Sequence, residues 1–219
     1  MEQPVKKRRY DSTRRRQAAE QTHARILSAA RELFTAQGYP ATSVTQIAAR
    51  AQVSVDTLYT AVGRKPQLLL AVHDMELAGG RSPVAAEDRD YVQRIRAAHT
   101  GAEMLTIYAD ALAELLPRTV PLLQALRDAG RDEPECRRVF EAVRERRAAN
   151  MLKLAAELRS TGDVRDDLDD RTVADLIWST NDPDFYLLHQ SRGRSPHQYA
   201  NLVRDLWIRT LLRPQPNTD

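Results

Sequence analysis

The sequence predicts an all-α protein. Three observations carry this: apolar residues recur at three-and-four spacing through most of the chain, Ser or Asp caps precede those stretches, and no alternation of Val, Ile and Thr runs longer than a few residues. The 219 residues suffice for one large or two small domains with a sizeable core.

Residues 1–17 lack an apolar period and read as a flexible basic arm. From about Ala18, Ile26, Leu27, Ala30, Leu33 and Phe34 form one helical stripe that stops at Gly38, the usual residue for a left-handed cap. Ser43 and Gln46 form a capping-box pattern that opens a short helix to about Ala51. Ser54 offers the next N-cap, for a helix over Val55 to about Val62, and Pro66 fits the first turn of a fourth, Gln67 to about Ala78. Residues 79–88, with Gly79, Gly80 and Pro83, read as a loop. Helical segments then cover about 89–98, 101–116 and 119–129. Asp132-Glu-Pro-Glu135 is a second capping-box pattern and starts what reads as the longest helix, which ends before Gly162. Asp169 or Asp170 caps the segment through Val173, Leu176, Ile177 and Trp178, with a kink or break where Asp182 precedes Pro183. Ser195-Pro-His-Gln198 caps the last helix, to about Leu212.

Charge divides the chain. Residues 1–66 hold 12 Lys/Arg against 5 Asp/Glu, a net of +7, leaving 21 against 25, a net of −4, for the rest. A basic segment joined to a mildly acidic body is the electrostatic footprint of a nucleic-acid-binding domain attached to something with another task. A merely solvated basic tail is the plainer reading. The two short helices, separated by a turn over Gln52 to Ser54, supply the geometry of a helix-turn-helix, whose second member lies in the major groove.

The residues go further than geometry. Leu33-Phe34, Gly38-Tyr39, Ala41-Thr-Ser-Val-Thr-Gln-Ile-Ala48, Ala51-Gln-Val-Ser54, Thr57-Leu-Tyr59, Lys65 and Leu68-Leu69 together resemble the N-terminal domain of the tetracycline-repressor (TetR) family, over about residues 20–72. The resemblance implies a three-helix DNA-binding domain, placed at 18–66 after the arm, followed by a larger helical effector-binding and dimerisation domain, 67–219. It implies a regulator, most simply a repressor, that binds double-stranded DNA at a near-palindromic operator as a homodimer and is released by a small-molecule effector. An activator or a non-specific DNA-binding protein is the alternative.

Residue by residue, Ile47, Ala48, Val53 and Leu58 are apolar where the short helices must lock together, so they read as core. By the resemblance, Thr45, Val55, Asp56, Thr57, Tyr59 and Thr60 face the groove, Ser43 at the N-cap belongs with them, and Lys65 stands where the family places a phosphate-binding lysine. Hydroxyls bond phosphate oxygens, Val55 and threonine methyls meet thymine methyls, and Asp56 accepts from cytosine. Thr57 acting only as a capping partner, and Asp56 only as a favourable charge on the helix dipole, remain open. Two positions depart from the family pattern: Gln52 stands where glycine is common in the turn, and Val62 where an aromatic often follows the second helix. A positive φ at Gln52 would cost about 1 kcal/mol.

In the body, the last helix is apolar over much of its circumference: Tyr199, Leu202 and Leu206 form one stripe, widened by Val203, Trp207, Ile208 and Leu211. This predicts a four-helix dimer interface formed by the Val173–Trp178 helix, the last helix and their symmetry mates. An effector cavity in the middle helices would draw its lining from Met104, Tyr108, Leu112, Leu123, Phe140, Met151 and Trp178, with His99 or Asn181 as a polar point. Each of these is equally at home in plain core.

Enzyme signatures are missing. The eight glycines include no phosphate loop or dinucleotide fingerprint, the five histidines no pair at metal-ligand spacing, and Asp163–Asp170 lacks the glycine and terminal glutamate of a calcium loop. No cofactor or metal is expected. The lone Cys136 and the lack of any signal-length or membrane-length apolar run point to a cytoplasmic protein.

Overall fold

The computed structural model describes residues 7–80 and 84–214, which divide into two compact units at Met75/Glu76. Among the described residues every named element is helical, apart from a single antiparallel bridge between Val164 and Leu212.

In the first unit, α1 spans Lys7–Ala41 and is interrupted at Gly38, whose φ of 77° and ψ of 168° put it in an extended positive-φ conformation open to glycine and not in the left-handed cap expected there. The helix starts well ahead of the apolar period, inside the stretch read as an arm. Arg, Gln, Ala and Glu are strong helix formers, an Arg16–Glu20 pair spans one turn, and lengthening an existing helix needs no new nucleus. Residues 1–6 of the expected arm lie outside the described part. α2 (Val44–Arg50) and α3 (Val55–Ala61) follow, then α4 (Lys65–Leu77). Ile26, Leu27, Ala30 and Phe34 of α1 close a core with Tyr39, Ile47, Ala48, Leu58, Leu68 and Val72, all buried. Thr42, also buried, donates its hydroxyl to the Gly38 carbonyl at 2.7 Å and so occupies an acceptor left free where α1 breaks.

The second unit continues through a short 3-10 turn at Ala86–Asp88 into α5 (Asp90–Ala97), α6 (Gly101–Ala129), α7 (Pro134–Ser160), α8 (Asp170–Thr180), α9 (Pro183–Ser191) and α10 (Pro196–Leu211). Pro83 of the expected loop lies outside the described residues. Three sequence expectations are corrected here. The segments 101–116 and 119–129 are one helix, which runs through Pro117 and Pro121. Each internal proline forfeits a ladder hydrogen bond, at roughly 3 kcal/mol, but Leu115, Leu116, Val120, Leu122, Leu123 and Leu126 are all buried on α6 and hold it in one piece. The capping box at Asp132 does not form: Glu133 is the N-cap of α7 and its side chain makes no cap bond. α7 is also shorter than α1 and α6, at 27 residues against 35 and 29. The Asp182-Pro183 step is a full break, with Asp182 capping α9 by accepting from the Asp184 N–H.

Tyr199, Val203, Trp207 and Leu211 of α10 are buried against Leu105, Tyr108, Leu112 and Leu116 of α6 and Val173 and Ile177 of α8. Much of the apolar breadth of α10 is therefore used inside its own chain. Leu176 on α8, Leu188 on α9 and Leu206 on α10 stay exposed, at 39, 61 and 38%. None of the described helices is long and apolar enough to cross a membrane.

Candidate nucleic-acid interface

α2 and α3 are each only seven residues long and need their caps. The Ser43 hydroxyl accepts from the Gln46 N–H at 3.2 Å while the Gln46 side chain accepts from the Ser43 N–H at 2.7 Å. Ser54 accepts from the Thr57 N–H at 3.0 Å. Between the caps, Gln52 takes a φ of 56°, the one described non-glycine residue in the left-handed region. The chain accepts local strain there to reverse direction in three residues.

The burial of α3 divides by face. Leu58 is wholly buried, whereas Tyr59 is 46% exposed and Asp56, Thr57 and Thr60 are exposed with it. Val55 is half-buried, and Ser43 and Thr45 of the preceding helix are exposed. Ile47 and Ala48 are buried, as the core reading requires, and Val53 is half-buried. Local bonds occupy some of these groups. Thr57 Oγ1 lies 2.8 Å from Ser54 Oγ, which strengthens its capping role, and Thr60 donates to the Asp56 carbonyl at 2.8 Å. The Thr60 hydroxyl proton is thereby engaged, as is one of the two in the Ser54–Thr57 contact, but the oxygens keep lone pairs and the methyls are free to meet a base. Lys65 opens α4 with its Nζ 4.0 Å from the centroid of the Tyr39 ring, a cation–π contact that holds the ammonium near the foot of α3. Two features were invisible in the sequence: a bridge of Arg50 to Glu32 at 2.6 Å that ties α2 to α1, and the Gln37 amide, which reaches the Ala41 carbonyl and the Gln46 side chain.

The residues expected to line an effector cavity are dispersed. Met104, Tyr108, Leu112, Met151 and Asn181 are buried, and three of them are in mutual contact: Asn181 Nδ2 donates to the Tyr108 hydroxyl at 2.7 Å and lies 3.3 Å from Met151 Sδ. Arg147 grips the Asn181 side-chain oxygen at 2.5 Å and the Asp182 carboxylate at 3.2 Å. Burial pushes the Tyr108 phenol far above its ordinary value, and Tyr91 adds to this; Arg147, the Asn181 hydrogen bond and Arg89 pull the other way. This cluster is packed core with an internal polar contact. Leu123 and Phe140 instead line a hollow of about 150 Å³ with Arg144 and Asp182, below the size of typical ligand pockets. Trp178 is half-buried with the Arg144 and Arg147 guanidinium groups over its ring. His99 does not join them: it is exposed just before α6, where its backbone N–H donates to Glu103, because the α6 N-cap at Thr100 turns this segment outward. A larger cavity, about 480 Å³, lies elsewhere in the same unit, between the end of α4, α5 and α6.

Two capped short helices around a three-residue turn, the second with one buried and one exposed face, define a helix-turn-helix protein of the all-α class. Residues 26–72 match the family model described as bacterial regulatory proteins, tetR family. The fold is also that of solved regulators. A putative transcriptional regulator from Saccharomonospora viridis in complex with choline is 18% identical with a TM-score of 0.64, covering 88% of this chain and 98% of that one. FadR from Thermus thermophilus, in complex with lauroyl-CoA, is 24% identical with a TM-score of 0.58 over 90% and 98%. NalD, the secondary repressor of the MexAB-OprM multidrug efflux pump in Pseudomonas aeruginosa, is 21% identical with a TM-score of 0.62 over 90% and 100%. No curated protein matches the chain by sequence.

Proposed function

We propose that this chain is a cytoplasmic transcriptional repressor that binds a near-palindromic operator in double-stranded DNA as a homodimer and leaves it when a small molecule binds the second unit. The observation that carries the reading is the face of α3: Leu58 anchors the helix in the core while Tyr59, Asp56, Thr57 and Thr60 stand outward on it. In this reading residues 18–66 hold the DNA-binding elements, 67–219 the effector and dimer surfaces, and the basic N-terminal stretch adds phosphate attraction. Thr45, Val55, Asp56, Tyr59 and Thr60 face the groove, Ser43 and Thr57 combine capping with phosphate contact, and Lys65 binds phosphate. Effector release needs only that ligand and DNA favour different conformers, with a coupling of about 1 to 3 kcal/mol.

The test is selection of bound genomic fragments by the purified protein, followed by competition with random duplex at physiological salt. Enrichment of a near-palindrome that random duplex does not displace supports the reading, and equal competition overturns it. The position of that site relative to promoters separates repression from activation. Among variants, Lys65→Ala should weaken binding evenly across sequences and flatten the salt dependence by roughly one unit of slope, while changes at Val55 or Thr60 should alter sequence preference. Loss of preference in all three alike would contradict this division of roles.

A further inference from the structure

We propose that the cavity between the end of α4, α5 and α6 is a binding site for a small organic anion, an amphipathic molecule whose carboxylate or phosphate is held by Arg89. The proposal rests on the effector reading above but is tested on the protein alone, so that the two fail separately. Arg89 lines this cavity and is 8% exposed, and its Nε is buried with no hydrogen-bond partner. Its one side-chain contact is a long one, Nη1 to the Tyr91 hydroxyl at 3.5 Å. A guanidinium taken out of water without a carboxylate partner is costly, and the cost is relieved by an anion.

The other arginines of the cavity are already matched: Arg94 pairs with Asp90 at 4.0 Å and Arg118 with Glu76 at 3.7 Å. Glu114, 3.8 Å from His197, is largely exposed to water. Asp110 is exposed, where water screens it. Arg118 also lines this space, but its Nε is directed at the Glu76 carboxylate, 3.7 Å away, which leaves Arg89 as the cation without a carboxylate partner. The planar Arg89 guanidinium suits the paired oxygens of a carboxylate or phosphate. Leu77, Ala111 and Leu115 complete the wall, and about 480 Å³ accommodates an apolar body behind the charged head.

The experiment measures binding to the full-length protein by calorimetry, with octanoate, benzoate and octyl phosphate against neutral octanol and cationic octylammonium. At least one anion should bind while octanol and octylammonium do not, and the carboxylate and phosphate arms identify the head group. Arg89→Gln should weaken that anion by about 10- to 100-fold, as expected for a charge-assisted hydrogen bond. Arg89→Lys should recover part of the loss. Ala111→Trp, which fills the cavity and leaves the arginines in place, should abolish binding, and it serves where Arg89→Gln does not fold. Absence of anion binding at millimolar concentration, equal binding of octylammonium, or wild-type affinity in either loss variant overturns the proposal. DNA binding in the absence of any probe is the separate readout for the regulator reading, and its presence or absence leaves these outcomes unchanged.

Discussion

Gln52 occupies a backbone conformation that costs an L residue roughly 1 to 2 kcal/mol, and its side chain is exposed, so nothing evident in packing offsets that strain. Gln52→Gly should therefore raise the unfolding free energy of the first unit by about 1 kcal/mol, less a few tenths for the added freedom of the unfolded chain. Gln52→Val should lower it. Chemical denaturation checks both, and a destabilising glycine would mean that the turn is not left-handed. The buried phenols behave differently with pH. Burial pushes Tyr199 as well as Tyr108 well above the ordinary 10.0, with Tyr108 itself a secondary cause at Tyr199. A phenol whose folded value is raised contributes stability that is fully present below the unfolded value and is lost as pH rises above it. The second unit should thus weaken from about pH 10 upward, with part of the phenolate absorbance appearing only on unfolding. A smooth, complete phenolate titration of the folded protein would contradict this.

At the scale of elements, the sequence was most legible where one side chain settles the backbone locally. Ser43, Ser54, Asp169 and Ser195 each cap the helix they were expected to cap, because the cap bond spans only three residues. Ser43→Ala should accordingly cost about 1 kcal/mol and reduce DNA affinity through a looser α2, measurable as a shift in the denaturation midpoint. Legibility failed where distant packing overrules a local signal. The segments 101–116 and 119–129 read as separate helices with Pro117 between them, yet the buried leucines on either side keep α6 whole. The Asp132 box has the right residues, but the helix starts one turn-position later at Glu133, where Pro134 fits the first turn. The same holds for the candidate sites: the exposed face of α3 follows from local period, whereas Arg89, whose Nε has no hydrogen-bond partner, sits at a helix edge that no pattern marks. Arg147 shows how much such long-range contacts carry. It joins α7 to the α8–α9 break through Asn181 and Asp182, so Arg147→Met should strand both acceptors and cost about 2 kcal/mol or more. Retained stability in that variant would show that water satisfies the break.

For the whole molecule, the decisive question is where a second copy docks. The apolar breadth of α10 does not by itself call for a partner, because Tyr199, Val203, Trp207 and Leu211 are buried in their own chain. What remains is narrower: Leu176, Leu188 and Leu206 are exposed on three consecutive helices, and Leu188 is 61% exposed. Scattered exposed leucines are ordinary, but a two-fold interface duplicates each contact, so a single change acts twice on the assembly. In an isolated chain Leu188→Glu is a surface substitution and should move stability by no more than about 0.5 kcal/mol. At a dimer interface it places two carboxylates in a desolvated contact and should shift the equilibrium by several kcal/mol. Sedimentation should then report the 24.8 kDa mass of one chain where the unaltered protein reports twice that, with the thermal midpoint lowered by no more than the loss of the partner implies. Operator affinity should fall with it, since one recognition helix per molecule cannot span two half-sites. A Leu188→Glu protein that stays dimeric and binds DNA as before would exclude α9 from the contact, and the same result for Leu176→Glu and Leu206→Glu would move the two-fold axis off this face altogether.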